Sequence, residues 1–291
     1  MKPHIRKLGA ALLALPLLGL TPALQAQDGS GDPMLLTFWD LNDNSDPGTA
    51  VDKILGIEGE VIDALYSPDG QGHTGQAGDR SLDIAGIGAV QVEDGWFINN
   101  AGARDQVTFS YWQSLWNVQD SSGFWAVSPS SNGTERGAQA HTPWSNNSIY
   151  FDTVGCCDAA TQRISANANT FPGWTDESWW WDWHNFVFVK DGPNKRIYID
   201  GVLFLEGVNT LPLPTDFTTL TFGSSSGGDG NQSIDGLIDD FTVFAGALTE
   251  EQIAQLAGGT PPDELPNITI PEVLIRQAIP GAGLGAAPQT T

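Results

Sequence analysis

Between Trp183 and Leu256 the chain is cut into apolar runs that are too short for helices and end at regular turn signals. Trp183–Lys190 stops at Asp191-Gly192, and Arg196–Leu203 carries its own Asp200-Gly201 turn. Leu220–Gly223 and Ile234–Phe244 follow. Runs of β-branched and aromatic residues bounded by Asp and Gly are the pattern of consecutive antiparallel strands, with side chains alternating between faces. One short helix closes the series. Thr249 can cap it while Gln252 reaches back, and Leu248 can staple onto Ile253.

The rest of the chain supplies more strands of the same kind. Met34–Asn42, Ser81–Ile84, Gly88–Val92 and Val107–Trp116 precede Phe124–Val127, Arg136–His141, Ser148–Asp152 and Gln162–Ser165. No helical pattern separates them, which argues against a parallel α/β sheet and for an all-β sandwich. Residues 43–80, with many Asp, Gly, Ser and Pro, read as a long irregular excursion. Residues 1–26 combine a basic start, the apolar run Leu8–Leu20 broken by Pro16, and the small residue Ala26. That pattern predicts a secretory signal peptide rather than a membrane span, and hence a secreted, periplasmic or cell-surface protein. The folded domain is expected over residues 27–258, and 259–291 as a low-complexity flexible tail.

Charge narrows the partners. A formal net charge of −23 repels polyanions, so nucleic acid is excluded as a ligand. The sequence has only two cysteines, the adjacent Cys156 and Cys157. In an oxidising compartment they can close a vicinal disulfide, either to stiffen a loop or to offer an apolar plate to a ligand.

The order Trp183-His184, Tyr198-Ile199-Asp200-Gly201, Phe222-Gly223, Gly236–Phe241 and Leu248–Ile253 resembles the laminin G-like, concanavalin A-like jelly rolls of secreted bacterial proteins. Gly75–Asp83 resembles the entry strand of that family and Phe109–Trp112 its next core strand. The resemblance spans residues 34–257. It implies an all-β, antiparallel two-sheet jelly-roll sandwich with one short C-terminal helix. Such folds serve lectins, adhesion modules, accessory domains of polysaccharide-degrading enzymes and some glycosidases, so activity has to be read from the site.

The glycosidases of that superfamily carry a Glu-x-Asp-x-x-Glu strand, which sets two carboxylates on one face. No such run exists here, so a non-catalytic protein is expected. Gly223–Gly227 fits the Gly-x-Ser-x-Gly pattern, but it runs into loop residues and lacks the strand-to-helix turn that exposes a nucleophile. His73, His141 and His184 stand apart, without zinc-site spacing. Asp40 and Asn42 at the end of the first strand can meet Asp239 and Asp240 of the last strand if the terminal strands pair, a set of oxygens suited to calcium.

Tryptophans crowd residues 174–183, and flat aromatic faces suit sugar rings. Strand alternation predicts that Trp179, Trp181 and Trp183 point one way and Trp180 the other. The candidate ligand contacts are Trp174, Trp179, Trp181, Trp144, His141 and Arg136. The expected partner is a carbohydrate or glycosylated surface, bound without a required cofactor and with calcium as a candidate ion. The alternatives are a structural or adhesion protein that binds another protein, and a polysaccharide-active enzyme with dispersed carboxylates.

Overall fold

Residues 31–271, apart from 133–134 and 226–231, are described by a computed structural model of the chain. In chain order its strands are β1 (Met34–Trp39), β2 (Thr49–Val51), β3 (Glu58–Ile62), β4 (Leu65–Tyr66), β5 (Leu82–Asp83), β6 (Ala89–Val92), β7 (Gln106–Leu115) and β8 (Phe124–Val127). They continue as β9 (Arg136–His141), β10 (Ser148–Thr153), β11 (Arg163–Asn167), β12 (His184–Asp191), β13 (Asn194–Ile199), β14 (Val202–Val208), β15 (Leu220–Phe222) and β16 (Gly236–Ala245). Helix α1 (Asn99–Arg104) precedes β7, and α2 (Glu250–Ala257) follows β16.

Two antiparallel sheets result. The first runs β14-β13-β12-β7-β16-β5-β4, with β1 also paired to β16; the second runs β11-β10-β9-β8-β15-β6-β3-β2. This is the expected jelly-roll sandwich. Between the sheets lies an aromatic core in which Phe222 stacks on Phe241 at 4.4 Å and Phe109 on Phe124 at 4.1 Å. Burial of these rings and of Trp39, Tyr111, Phe151, Phe186 and Phe188 supplies the main apolar driving force for folding.

Helix α2 forms where its cap chemistry places it. Thr249 Oγ1 accepts from the Gln252 N–H at 3.2 Å, and Gln252 Oε1 accepts from the Thr249 N–H at 2.9 Å. Leu248 and Ile253 are buried in one cluster with Leu256. Among the described residues no helix is long and apolar enough to cross a membrane.

Two expectations change. The supposed irregular stretch 43–80 contributes β2, β3 and β4 at the sheet edges, strands too short for period-two alternation to register. Residues 259–271, expected as tail, join the fold instead: Leu265 is buried, and Thr269 exchanges backbone hydrogen bonds with Leu35 and Pro33 at 2.9 and 2.8 Å. Those bonds add an extended segment beside β1, which low-complexity composition hides. The signal peptide expected over residues 1–26 and the tail from residue 272 lie outside the described residues.

Register positions the functional surface. Directly opposed residues point to the same face of a sheet. On the second sheet the opposed partners Thr49, Glu60, Gln91, Thr221, Trp125, Gln139, Asp152 and Arg163 therefore form one row across all eight strands. Their strand neighbours Ala50, Val90, Phe222, Phe124, Ala138, Phe151 and Ile164 face the core. The row is acidic at the β3 end and basic at the β11 end.

Candidate binding cleft and cation recess

At the basic end, a cleft of about 300 Å³ is lined by Arg136, His141, Trp144, Tyr150, Cys156, Cys157, Arg163 and Gln232. Its floor is organised by Asp152, which is fully buried. Arg163 grips that carboxylate in bidentate fashion, Nε to Oδ1 at 2.6 Å and Nη2 to Oδ2 at 2.5 Å. Arg136 Nη1 adds a third bond to Oδ2 at 2.6 Å. The guanidinium of Arg163 lies 4.4 Å over the Tyr150 ring, and that of Arg136 lies 4.8 Å over Trp125. Planar cations clamped between a carboxylate and a ring are held in fixed orientation before any ligand arrives.

The β10–β11 hairpin builds one wall. Its turn carries Cys156 and Cys157, which are joined as a vicinal disulfide 3.4 Å from Arg163 Nη2 at the Cys156 sulfur. Lys195 holds the hairpin from beneath, donating to the carbonyls of Phe151 and Gln162 at 2.7 and 2.9 Å. Burial pushes the ammonium of Lys195 well below its ordinary pKa. Trp144 follows a turn pinned by Gln113 Nε2, which donates to the Thr142 carbonyl at 2.6 Å. It meets His141 edge-on at 4.7 Å, and His141 in turn meets Tyr150 at 5.6 Å. Burial, the largest cause, lowers the pKa of His141 to about 4, so the imidazole is neutral at physiological pH.

A family model described as the concanavalin A-like lectin/glucanases superfamily matches residues 88–254. The chain belongs to this superfamily. Among curated proteins, adhesion G-protein coupled receptor V1 of Danio rerio is 27% identical over 172 residues, 56% of this chain but 3% of that receptor. Among solved structures, domain 4 of an extracellular arabinanase of Geobacillus stearothermophilus, in complex with arabinotriose, aligns over 78% of this chain and 99% of that one, with 16% identity and a TM-score of 0.50. Trypanosoma rangeli sialidase aligns over 77% of this chain and 32% of its own, with 12% identity and a TM-score of 0.55. At these identities the structural likeness is one of fold.

In this concanavalin A-like chain three of the six candidate ligand contacts, Arg136, His141 and Trp144, line the cleft. The tryptophan segment does not. Glu177–Trp181 is a 3₁₀ turn rather than a strand, so alternation fails: Trp179 and Trp180 both go inward. Trp179 stacks on His184 at 3.7 Å, and Trp180 donates from Nε1 to Asn147 at 2.9 Å. Trp174 packs against Trp179 and Trp180, while Trp181 is 60% exposed but lines no described cleft. His184 is satisfied at both ring nitrogens, by Asp200 at 2.7 Å and the Trp179 carbonyl at 2.8 Å. Sequence reasoning missed Tyr150, Asp152, Arg163 and Gln232. Hairpin pairing across the Cys156-Cys157 turn, which opposes Asp152 to Arg163, was the signal that could have found two of them.

A second constellation lies on the other sheet. Terminal strands β1 and β16 pair, as expected, with Trp39 opposite Phe241. A register shift between Asp239 and Thr242, with Asp240 at φ +49°, turns two successive aspartates toward one point. His73 Nδ1 is 3.0 Å from Asp239 Oδ2 and 3.7 Å from Asp240 Oδ2, and its ring stacks on Trp112 at 4.4 Å. His73 is therefore not isolated. His73, Asp79 and Asp239 present ligand atoms within 4.8 Å of one another. Asp40, Asn42, Asp79 and Asp240 line the adjoining recess of about 280 Å³.

Burial, reinforced by neighbouring carboxylates, raises Asp239 and Asp240 well above the ordinary aspartate range. A hard cation would relieve that cost, and the oxygen-rich donor set fits one. Asp239 Oδ2 is already met by the backbone N–H of His73 at 2.9 Å, and Asn42 Oδ1 by that of Arg80 at 2.6 Å. Asp79 Oδ2 likewise accepts from the Thr74 N–H and Oγ1 at 2.8 and 2.5 Å, and Asp40 Oδ2 lies 3.2 Å from Lys53 Nζ, so an ion in the recess would share these carboxylates with their present partners.

Proposed function

We propose that the chain is an exported, non-catalytic binding module that takes carbohydrate in the cleft between Trp144, Tyr150 and the Cys156–Cys157 plate. The observation that carries this reading is the coincidence, in one cleft, of aromatic edges, an apolar disulfide surface and rigidly held hydrogen-bond donors. Sugars present both apolar faces and hydroxyl edges, and a cleft of this size fits one or two rings. The arabinotriose bound to the arabinanase domain of the same fold supports the reading. So does the presence of a disulfide, which is stable in the compartment that a signal peptide serves.

Among the described residues the only carboxylate on the cleft floor, Asp152, is buried and held by two arginines, which favours binding over acid–base work. The acidic recess serves as a calcium site that ties β1 to β16. A glycan array tests the proposal. Wild-type protein is expected to retain a restricted set of saccharides, and Trp144→Ala to lose them by about tenfold or more while its melting temperature holds. Binding unaffected by Trp144→Ala, or saccharide hydrolysis by the purified protein, contradicts it. Retention of a protein ligand instead favours the adhesion reading.

A further inference from the structure

We infer that the cleft selects saccharides bearing a carboxylate, a uronate or a sialate, an inference that rests on the carbohydrate reading above and narrows it. Two guanidiniums share one carboxylate on the cleft floor, so the cleft keeps a positive charge in a chain whose formal net charge is −23. Among the described residues that line the cleft none is acidic. The neutral His141 adds no charge of either sign.

Just beneath the lining, next to Gln232, a buried side chain lacks a donor. Gln139 is fully buried, and its Oε1 has no hydrogen-bond partner, although its Nε2 donates to Ser122 Oγ at 2.7 Å. It stands directly opposite Asp152 in the β9–β10 ladder. A buried acceptor left unmet is costly, and a ligand hydroxyl or a water held by the ligand would satisfy it. A simple anion answers the arginines but brings no hydroxyl. A neutral sugar brings hydroxyls but leaves the charge unanswered. A polyhydroxy acid does both, with its ring seated against Trp144 and the disulfide and its carboxylate toward Arg163.

The test uses the full chain and matched pairs in isothermal titration: trigalacturonate with its methyl ester, and 3′-sialyllactose with lactose. The acid of at least one pair is expected to bind about tenfold or more tightly than its neutral counterpart, the scale of one charge-assisted hydrogen bond. Which pair shows the preference tells uronate from sialate. Arg163→Gln should abolish the extra affinity for the acid, with near-ultraviolet circular dichroism showing that the variant is folded. If the variant does not fold, the ester comparison on wild type decides alone. Neutral and acidic partners binding equally overturns this inference and leaves the carbohydrate reading intact. Binding by none of the four overturns both.

Discussion

Two tryptophan-bearing regions of this molecule have opposite fates. Residues 174–183 hold five tryptophans in ten positions and send Trp179 and Trp180 into the core. The region from Arg136 to Arg163 holds one, Trp144, and leaves it at the mouth of a cleft. Local backbone makes the difference. A 3₁₀ turn gathers consecutive side chains onto the core, whereas the turn after β9 holds Trp144 at the sheet margin among polar neighbours that are already paired. Density of aromatics marks burial here, and aromatics beside fixed charges mark the candidate site.

The largest effect expected from this contrast is on stability. Trp180→Ala should cost about 3–5 kcal/mol in urea denaturation, the range for a buried aromatic, while any folded fraction binds saccharide with unchanged affinity. A specific loss of affinity without loss of stability would move the site back to the tryptophan segment. Next comes the cation recess, which differs from the cleft in the sign of its charge. Calcium at a hundred times its dissociation constant should stabilise the protein by about 2.7 kcal/mol, read as a rise in melting temperature reversed by chelator. No shift at millimolar calcium removes the ion from the account.

The legible part of the structure was its frame. Turn residues such as Asp191-Gly192, the alternation of β7 and β12, and the Thr249–Gln252 box identify the sandwich and its helix because each is a local signal. Pairing of the first and last strands followed from the jelly-roll topology, and it brought Asp40, Asn42 and Asp240 together. His73 and Asp79 were hidden because a loop carries them to a strand more than 150 positions away in sequence. In the cleft, Arg136, His141 and Trp144 were readable from one strand and its turn. Arg163 and Tyr150 were not, since their role depends on hairpin register, and the orientation of Trp179 was misread because a 3₁₀ turn mimics an aromatic strand in composition.

Smaller effects separate the supports of the cleft from its lining. Lys195, beneath the hairpin, has a pKa in the folded chain held below its unfolded value. The unfolded chain therefore binds the extra proton between the two values, and stability rises with pH across that window. Lys195→Met lacks this contribution. The stability of wild type relative to the variant should grow from pH 7 toward pH 10, by at most about 1.4 kcal/mol per pH unit, in denaturant melts. A pH-independent difference would mean that the lysine is not desolvated. At the small end, Trp181→Ala should change neither stability nor saccharide binding by more than about 0.5 kcal/mol, as an exposed side chain outside the cleft.

The central claim, that saccharide enters at Trp144 and not at the tryptophan segment, is met most directly by following the eleven indole N–H resonances of the isotope-labelled protein during titration with trigalacturonate or 3′-sialyllactose. The resonance removed by Trp144→Phe should shift most, with those of Trp179, Trp180 and Trp181 unmoved. Shifts confined to the tryptophans of residues 174–183, with Trp144 still, would contradict it.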